Sequence, residues 1–420
     1  MRKRLINYMK PVKAAILAGL LLLPLITFTG CEESVKSLYD PTVTFKPKPA
    51  ITAITPAGGG IAGVTELTIT GSNFSANPAE VFVYFNGKLG TVLSSSATEI
   101  KVRAAVVNLT NDTAGVFIRI AGAIEFSDTT KYRLQQAVVT PFPLQEFEEP
   151  SALEFDKDGN LYVSVLANQI TNNILKITPA GVKTKYTPDA GGGLRYTSLK
   201  FGPGGKMYGI RNFQRAIFEI PAGGGASSTF LALTPNTVKL KDMDIDANAH
   251  LWLGGDNAAL YRVKISDKSV KTYPFAFNVR ALKVAGNKLY AAVQQDSSSY
   301  IYSFDIDANS DLINQTLYAD LTQTYGYNVK VNAIAVDADG FVYVGTDRTD
   351  PIVQITPAGA VSAFYPGVLA SYPAIYFAWD NGTNLYYTRE AGVSGTTVVP
   401  QTVLMIRVLK QGAPAPGRNM

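Results

Sequence analysis

One strand-and-turn pattern repeats along the chain from Ser151 to about Lys410, and this repeat limits most strongly what the sequence can fold into. Each copy has a polar hairpin turn and a strand, followed by a second short strand. The first strand of every copy carries an aromatic side chain, at Tyr162, Tyr208, Trp252, Tyr290, Tyr343 and Tyr386. The copies lie 38 to 53 residues apart and contain only strand and turn signals, which indicates a β-propeller. We expect six blades, or seven if a degenerate copy lies between Ile306 and Asn332.

The last copy lacks an outer strand, because Gly412-Ala-Pro-Ala-Pro-Gly417 is typical of a loose tail. The segment Val138-Val-Thr-Pro-Phe142, before the first copy, is the candidate for that strand. Closing the ring in this way would remove a free sheet edge. We therefore expect a six-bladed propeller over residues 135–410 and a flexible tail over 411–420.

The repeats resemble NHL or streptogramin-lyase-type propeller blades. The resemblance raises two activities: gluconolactonase-like propellers hold a calcium ion just before the inner strands, and streptogramin lyases use a histidine base. The positions that correspond to the calcium site, five residues before each hairpin, are Ser151, Thr197, Lys241, Arg280, Asn332 and Ile375. Only Asn332 suits calcium, and two cations in the set would repel a metal ion. The single histidine, His250, lies in a turn where we expect it to be solvated. Neither activity carries over.

The N-terminus carries the net charge of +5 and has the layout of a signal peptide. From Ala14 to Phe28 runs an apolar segment of about 15 residues, which is too short to span a bilayer but suits a signal peptide. Five cations precede it, at Arg2, Lys3, Arg4, Lys10 and Lys13, and the rest of the chain is neutral. Because no basic surplus remains, we expect no nucleic-acid partner.

The apolar segment ends at Phe28-Thr-Gly-Cys31, which resembles a bacterial lipobox and holds the only cysteine of the chain. The resemblance implies a lipoprotein signal peptide over residues 1–30 and a lipid on Cys31. Glu32 and Glu33 are similar to the export signal of Bacteroidota surface lipoproteins. The expected location is the outer membrane, lipid-anchored and facing the cell exterior.

Residues 31–50 have the composition of a tether, and the first folded unit is predicted over 51–134. Leu67 and Ile69 alternate with threonines, as in a half-buried strand. The strand Val81-Phe-Val-Tyr-Phe85 meets Asn86-Gly87, a strong hairpin signal. The opening of this unit, from Ile51 to Phe74, resembles an IPT/TIG domain, which is an immunoglobulin-like sandwich. The predicted fold class is all-β, with this β-sandwich followed by the six-bladed propeller.

The Asp-x-Asp-Gly turns and the segment Asp305-Ile-Asp-Ala-Asn-Ser-Asp311 raise the question of calcium. An EF-hand loop needs glycine at its sixth position and glutamate at its twelfth, where this segment has Ser310 and Thr316. Aspartate and glycine recur in hairpins because they suit tight turns. We therefore interpret these residues as structural, and we expect neither a metal nor another cofactor. The repeated aromatics are expected to pack between blades.

Candidate ligand-binding residues come from the loops that share one face of a propeller. Tyrosines beside planar polar groups suit sugar rings, which offer C–H faces for stacking and hydroxyls for hydrogen bonds. The candidates are Tyr196, Arg211, Asp256, Arg280, Tyr325, Tyr327, Asn332, Asp347, Arg348, Tyr372 and Arg389. Such side chains are also common on any protein surface. A carboxylate pair for glycoside hydrolysis stays open among Glu148, Glu149, Asp256, Asp347 and Glu390.

The order of anchor, tether, sandwich and propeller resembles that of Bacteroidota lipoproteins in glycan uptake systems. The resemblance implies a non-catalytic binding protein for polysaccharide, or less readily for peptide, beside an outer-membrane transporter complex. Two alternatives stay open: a carboxylate-dependent glycan hydrolase or lyase on the propeller face, and a structural subunit that docks to an outer-membrane partner.

Overall fold

The computed structural model describes residues 44–145, 147–192 and 195–420, and Pro47–Met420 form one compact unit. The predicted signal peptide, Cys31, Glu32, Glu33 and most of the predicted tether lie outside the described residues. In the part of the chain that is described, no helix has the length and hydropathy of a membrane span.

The first folded part is a sandwich of two β-sheets. Its strands are β1 (Ala50–Thr55), β2 (Gly60–Ile61), β3 (Glu66–Ser72), β4 (Val81–Phe85), β5 (Lys88–Leu89), β6 (Thr91–Ser95), β7 (Glu99–Arg103), β8 (Thr113–Ile120) and β9 (Thr130–Gln135). One sheet has the order β1-β3-β7-β6 and the other β2-β9-β8-β4-β5. Alternate residues of β3, β4 and β8 are buried, so both inner faces supply one apolar core. This confirms the predicted sandwich.

The Asn86-Gly87 turn adopts the conformation that the sequence predicts. Both residues have positive φ, 45° and 80°, as a two-residue hairpin turn between twisted strands requires. The Asn86 side chain also accepts a hydrogen bond of 2.7 Å from the backbone N–H of Gly115 on the neighbouring strand.

Six four-stranded sheets follow in the described residues, arranged as blades. Blade 1 has β11 (Glu148–Phe155), β12 (Leu161–Ala167), β13 (Thr171–Ile177) and β14 (Lys183–Lys185); blade 2 has β15 (Tyr196–Phe201), β16 (Met207–Arg211), β17 (Ala216–Ile220) and β18 (Ser228–Ala232). Blade 3 has β19 (Leu240–Ile245), β20 (His250–Gly255), β21 (Ala259–Lys264) and β22 (Val270–Pro274); blade 4 has β23 (Asn278–Ala285), β24 (Lys288–Gln295), β25 (Ser298–Ile306) and β26 (Leu312–Asp320). Blade 5 has β27 (Val331–Val336), β28 (Val342–Thr346), β29 (Ile352–Ile355) and β30 (Val361–Ala363); blade 6 has β31 (Ala374–Trp379), β32 (Asn384–Arg389), β35 (Thr402–Arg407) and β10 (Val138–Val139).

This arrangement confirms the predicted six-bladed propeller. The long stretch before Asn332 is filled by β26 and a short helix, α1 (Leu321–Tyr325), rather than by a seventh blade. A two-stranded hairpin, β33 (Gly392–Ser394) and β34 (Thr397–Val399), extends between β32 and β35.

The ring closes through β10, as predicted. Val138 pairs with Ile406 and Val139 with Met405, both antiparallel, so the chain before blade 1 supplies the outer strand of blade 6. The remaining strands of that blade come from the end of the chain, and the seam therefore joins the two ends of the propeller.

The aspartates of the hairpin turns organise the blades. Asp156 Oδ1 accepts hydrogen bonds from the backbone N–H groups of Asp158 and Asn160, and its Oδ2 accepts one of 3.0 Å from the Tyr162 hydroxyl. The same arrangement joins Asp337 to Tyr343, which is fully buried. The structural interpretation of these turns and of the repeated aromatics holds at both positions.

In blade 3 the equivalent carboxylate, Asp246 Oδ2, accepts from Trp252 Nε1 at 2.9 Å and lies 3.2 Å from His250 Nδ1. His250 is buried, so the expectation of a solvated histidine is wrong. Its ring replaces the amide that Asn160 supplies to the same contact in blade 1.

Residues 411–420, predicted as a flexible tail, pack against one end of the central channel. A short 3₁₀ helix at Pro416–Asn419 places Arg418 against the buried Glu154, with Nη2 2.8 Å from Oε1. Gly417 lies so close to the backbone of Phe201 that a Cβ would be 2.1 Å from its carbonyl oxygen. A buried ion pair and close backbone packing therefore replace the expected mobility.

Candidate functional site

The propeller opens into a cleft at the end of the channel where the inner strands begin. The cleft has a volume of about 640 Å³, within the range of about 300–1,000 Å³ usual for small-molecule sites. Below it the channel is narrower. This lower part has a volume of about 60 Å³ and continues toward Arg418 and the tail.

A β-bulge in five of the six inner strands aims a side chain into this cleft. The pairing of inner and second strands shifts register at the same place in all six blades. The residues at five of these shifts line the cleft: Thr197, Lys241, Arg280, Asn332 and Ile375. A bulge leaves one residue outside the hydrogen-bonded ladder and is commonly found where a strand must redirect a side chain. We call these five positions the bulge ring.

The sixth equivalent position, Ser151, does not reach the cleft. It is fully buried, and its hydroxyl oxygen lies 2.8 Å from the carbonyl oxygen of Tyr196 in blade 2. In blade 1 the residue at this position therefore forms a hydrogen bond to blade 2 and does not contribute to the cleft.

Four cationic side chains line the cleft: Arg195, Lys241, Arg280 and Lys330. The two arginines have carboxylate partners, since Arg195 lies 2.9 Å from Glu149 and Arg280 lies 2.7 Å from Asp256. Glu390 is the carboxylate among the lining residues. Cations thus outnumber carboxylates at the cleft, although the chain after its N-terminus is neutral.

Lys241 lies in the bulge ring among these like charges. Its ammonium is 3.2 Å from the Asn212 side-chain oxygen and 5.6 Å from the centre of the Phe213 ring. Burial lowers the pKa of Lys241, and the neighbouring Arg280 and Arg195 lower it further, whereas Asp242 and Asp256 act in the opposite direction. The charged form of Lys241 is therefore less favourable here than on an open surface.

Aromatic and amide groups complete the lining. Phe213 is 43% exposed and presents part of its ring to solvent. Burial raises the pKa of Tyr376 to about 12, so its hydroxyl stays protonated at neutral pH. The amides of Asn212, Gln294 and Asn332 offer both donors and acceptors.

Of the residues selected from the sequence, Arg280 and Asn332 line the cleft, and Asp256 reaches its edge through the ion pair with Arg280. Tyr196 is only 2% exposed and contributes to the core between blades. Tyr327 is 70% exposed but does not line the cleft.

The other selected residues hold loops. Three arginines stack on tyrosines: Arg211 on Tyr196 at 4.9 Å, Arg348 on Tyr325 at 4.0 Å, and Arg389 on Tyr372 at 5.2 Å. Asp347 accepts a hydrogen bond of 3.0 Å from the backbone N–H of Lys330. In each of the three stacked pairs a guanidinium covers one face of the tyrosine ring.

Sequence reasoning missed Arg195, Lys330 and Phe213 as parts of the cleft. Two of them had a detectable signal, because Arg195 and Lys330 each precede a bulge-ring position by two residues. Phe213 lies in the loop between the second and third strands of blade 2, two residues after the selected Arg211, so its loop was predictable but the exposure of its ring to the cleft was not.

The residues that the structure describes hold no group of three or more His, Cys, Asp or Glu side chains arranged to bind a metal ion. Three of the five carboxylates considered for hydrolysis are in ion pairs, with Glu148 3.0 Å from Lys183 and Glu149 and Asp256 paired to the cleft arginines.

Residues 49–133 match the family model of the IPT/TIG domain. A search of curated proteins finds no match. Among solved structures, the chain is similar to a putative phosphatase from Bacteroides thetaiotaomicron, with a TM-score of 0.54 and 13% identity over 86% of this chain and 97% of that one. It is also similar to the calcium-binding protein regucalcin from Agrobacterium tumefaciens, with a TM-score of 0.50 and 14% identity over 67% of this chain and 100% of that one.

An auxiliary nutrient binding protein from Bacteroides thetaiotaomicron matches with a TM-score of 0.44 and 13% identity over 78% of this chain and 86% of that one. At such identities a structural likeness concerns the fold alone. The chain therefore carries an IPT/TIG domain followed by a six-bladed β-propeller.

Proposed function

We propose that this protein is a non-catalytic binding protein that holds a glycan in the propeller cleft. The observation that carries the proposal is the bulge ring, which directs Lys241, Arg280 and Asn332 into an open cleft of about 640 Å³. Phe213 and Tyr376 add aromatic surface beside these polar groups. Ring faces for stacking, together with planar amide and guanidinium donors, are what a sugar needs from its site.

Binding is better supported than hydrolysis. A two-carboxylate glycosidase needs an acid and a base or nucleophile about 5–9.5 Å apart across the bond that breaks. Among the cleft-lining residues the carboxylate is Glu390, while Glu149 and Asp256 are held by arginines. The carboxylate-dependent hydrolase or lyase is therefore the second candidate.

The proposal includes the cellular location that the sequence predicts. A lipid on Cys31 would anchor the protein to the outer membrane, and Glu32 and Glu33 would direct it to the cell surface. A glycan-binding propeller in that place would serve a polysaccharide uptake system beside an outer-membrane transporter complex. Docking to such a partner without a glycan ligand is the structural alternative.

The test is calorimetric titration of the purified protein with a panel of neutral and acidic oligosaccharides, with product analysis of the same mixtures. Asn332→Trp places a large side chain in the bulge ring, and we expect it to weaken binding by at least about tenfold by filling the space that the ligand uses. The matched control is Tyr327→Ala, on an exposed loop residue outside the cleft lining, which should change affinity less than about twofold.

Saccharide binding without turnover, lost in Asn332→Trp, would support the proposal. Release of shortened products would replace it with the hydrolase or lyase. No binding across the panel, with a membrane protein partner recovered instead, would favour the docking alternative.

A further inference from the structure

We infer that the cleft selects acidic saccharides and that a uronate carboxylate or a sulfate ester binds between Arg195, Lys241 and Arg280. The inference rests on the proposed function and names its substrate class. It is carried by the charges of the lining residues, by the surroundings of Lys241 and by the aromatic ring next to it.

The first step is the charge at the cleft. Arg195 and Arg280 are each compensated by one carboxylate, Glu149 and Asp256, at 2.9 and 2.7 Å. Neither Lys241 nor Lys330 forms an ion pair with a carboxylate in the described ranges. Glu390, which also lines the cleft, supplies one negative charge. The cleft therefore keeps a positive excess, which attracts anionic ligands.

The second step is the position of Lys241. Its neighbour in the chain, Asp242, does not neutralise it directly, because Asp242 Oδ1 accepts from the backbone N–H of Met243 and Oδ2 accepts from that of Leu282. The Lys241 ammonium donates a hydrogen bond to the neutral amide of Asn212. A half-buried ammonium with arginines nearby is unfavourable, and a bound anion would relieve this cost.

The third step separates a saccharide from a simple anion. The Phe213 ring lies 5.6 Å from the Lys241 ammonium and is partly exposed in the same cleft. A pyranose with its C–H face on Phe213 brings an acidic substituent of the same ring within reach of Lys241. An inorganic anion uses only the charge, so this pairing of ring and ammonium favours an acidic sugar.

The test compares one oligosaccharide in two charge states: an oligogalacturonate and its fully methyl-esterified form. We expect the wild-type protein to bind the acid at least about tenfold more tightly at low salt, and the difference to shrink at high salt because screening weakens charge attraction. Lys241→Gln should reduce the preference for the acid by about tenfold or more, since a charge-assisted hydrogen bond is lost.

The matched control is Lys206→Gln, which makes the same substitution at a lysine that pairs with Glu219 away from the cleft. It should leave the preference unchanged. Sulfated oligosaccharides and their desulfated forms, tested in parallel, distinguish the two sources of negative charge, and tighter binding of either acid form than of its uncharged counterpart supports the inference.

Equal affinity of the wild type for the charged and uncharged forms in both pairs would overturn the inference while the proposed function stands. The inference also fails if Lys241→Gln weakens the binding of acid and ester equally. Binding of polyglutamate without binding of any saccharide would overturn both the inference and the proposed function.

Discussion

Lys241 combines a positive charge with a position that makes this charge easy to lose. Its pKa is lowered, first by burial and then by Arg280, so it loses its proton at a lower pH than an ordinary lysine. We predict that affinity for an acidic saccharide falls as the pH rises through this lowered pKa. The measurement is a titration at a series of alkaline pH values, with circular dichroism to confirm that the protein stays folded. Lys241→Arg keeps the charge and should bind with little dependence on pH over the same range, and a wild-type profile equally flat would contradict the prediction.

Glu154 links acidity to stability at the other end of the channel. Although burial alone would raise it, the pKa of Glu154 is lowered to about 2 by Lys200, Arg418 and Lys283. A carboxyl group whose pKa is lower in the folded than in the unfolded protein stabilises fully above its ordinary value near 4.5 and loses this contribution as the pH falls toward 2.

We therefore predict that Glu154→Gln is less stable than wild type at pH 7, and that the difference narrows by roughly 3 kcal/mol between pH 6 and pH 2. Urea denaturation at several pH values measures it. As a control, Asp158→Asn removes an exposed carboxylate paired with Lys157. Its free energy of unfolding relative to wild type should change little between pH 6 and pH 2. A constant difference for Glu154→Gln would mean that the ion network does not lower the pKa of this group.

The sequence predicted which residues form the bulge ring, but it did not predict which of the other candidate side chains are buried. Counting five residues back from the hairpin positions identifies Thr197, Lys241, Arg280 and Asn332, because the bulge lies at a nearly constant distance before the hairpin in every blade. It cannot show that Tyr196 is buried or that Tyr325 is covered by Arg348, because these contacts depend on how neighbouring loops pack. Aromatic residues in loops are consequently the least predictable part of the site.

At the scale of elements, the two-residue strand β10 closes the ring. Its pairing with β35 completes blade 6 and joins the two ends of the propeller. We predict that Val139→Pro lowers the melting temperature by about 5–10 °C, because proline cannot donate to the ladder and the ring then opens at its seam.

The control for this strand is Val398→Pro, in the exposed hairpin between β32 and β35, which should shift melting by no more than about 2 °C. Differential scanning calorimetry resolves the two cases. Identical melting of Val139→Pro and wild type would show that closure by β10 is not needed for stability.

The elements themselves were largely predictable, because strand alternation and turn residues are local properties of the sequence. The hairpins follow from short turns rich in Asp, Asn and Gly, and the closing strand follows from the need to cover a free edge. The tail was not predictable in this way. Its attachment depends on long-range contacts, among them the ion pair of Arg418 with Glu154, 264 positions apart, and the backbone hydrogen bond that Ala413 donates to Val336.

For the whole molecule, the proposed anchor makes a prediction that does not depend on the ligand. Cys31→Ala removes the thiol that would carry the lipid, and we predict that the protein moves from the membrane fraction to the soluble fraction. Fractionation with immunodetection measures this. A matched variant, Glu32→Ala with Glu33→Ala, should stay in the membrane fraction but lose accessibility to protease on intact cells. Retention of Cys31→Ala in membranes would mean that the apolar segment itself is the anchor.

The seam between β10 and β35 also fixes the order in which the propeller can form. The Arg407 side chain donates a hydrogen bond to the backbone carbonyl of Gln136, 271 residues earlier in the chain. A ribosome delivers the N-terminal end first, so the closing strand emerges before every blade and stays unpaired until the last strand of blade 6 is made. The ring therefore cannot close on a partial chain. The six blades can form a closed ring only when synthesis is nearly complete. A chain stopped before residue 402 would expose an unpaired strand edge at both ends of the ring.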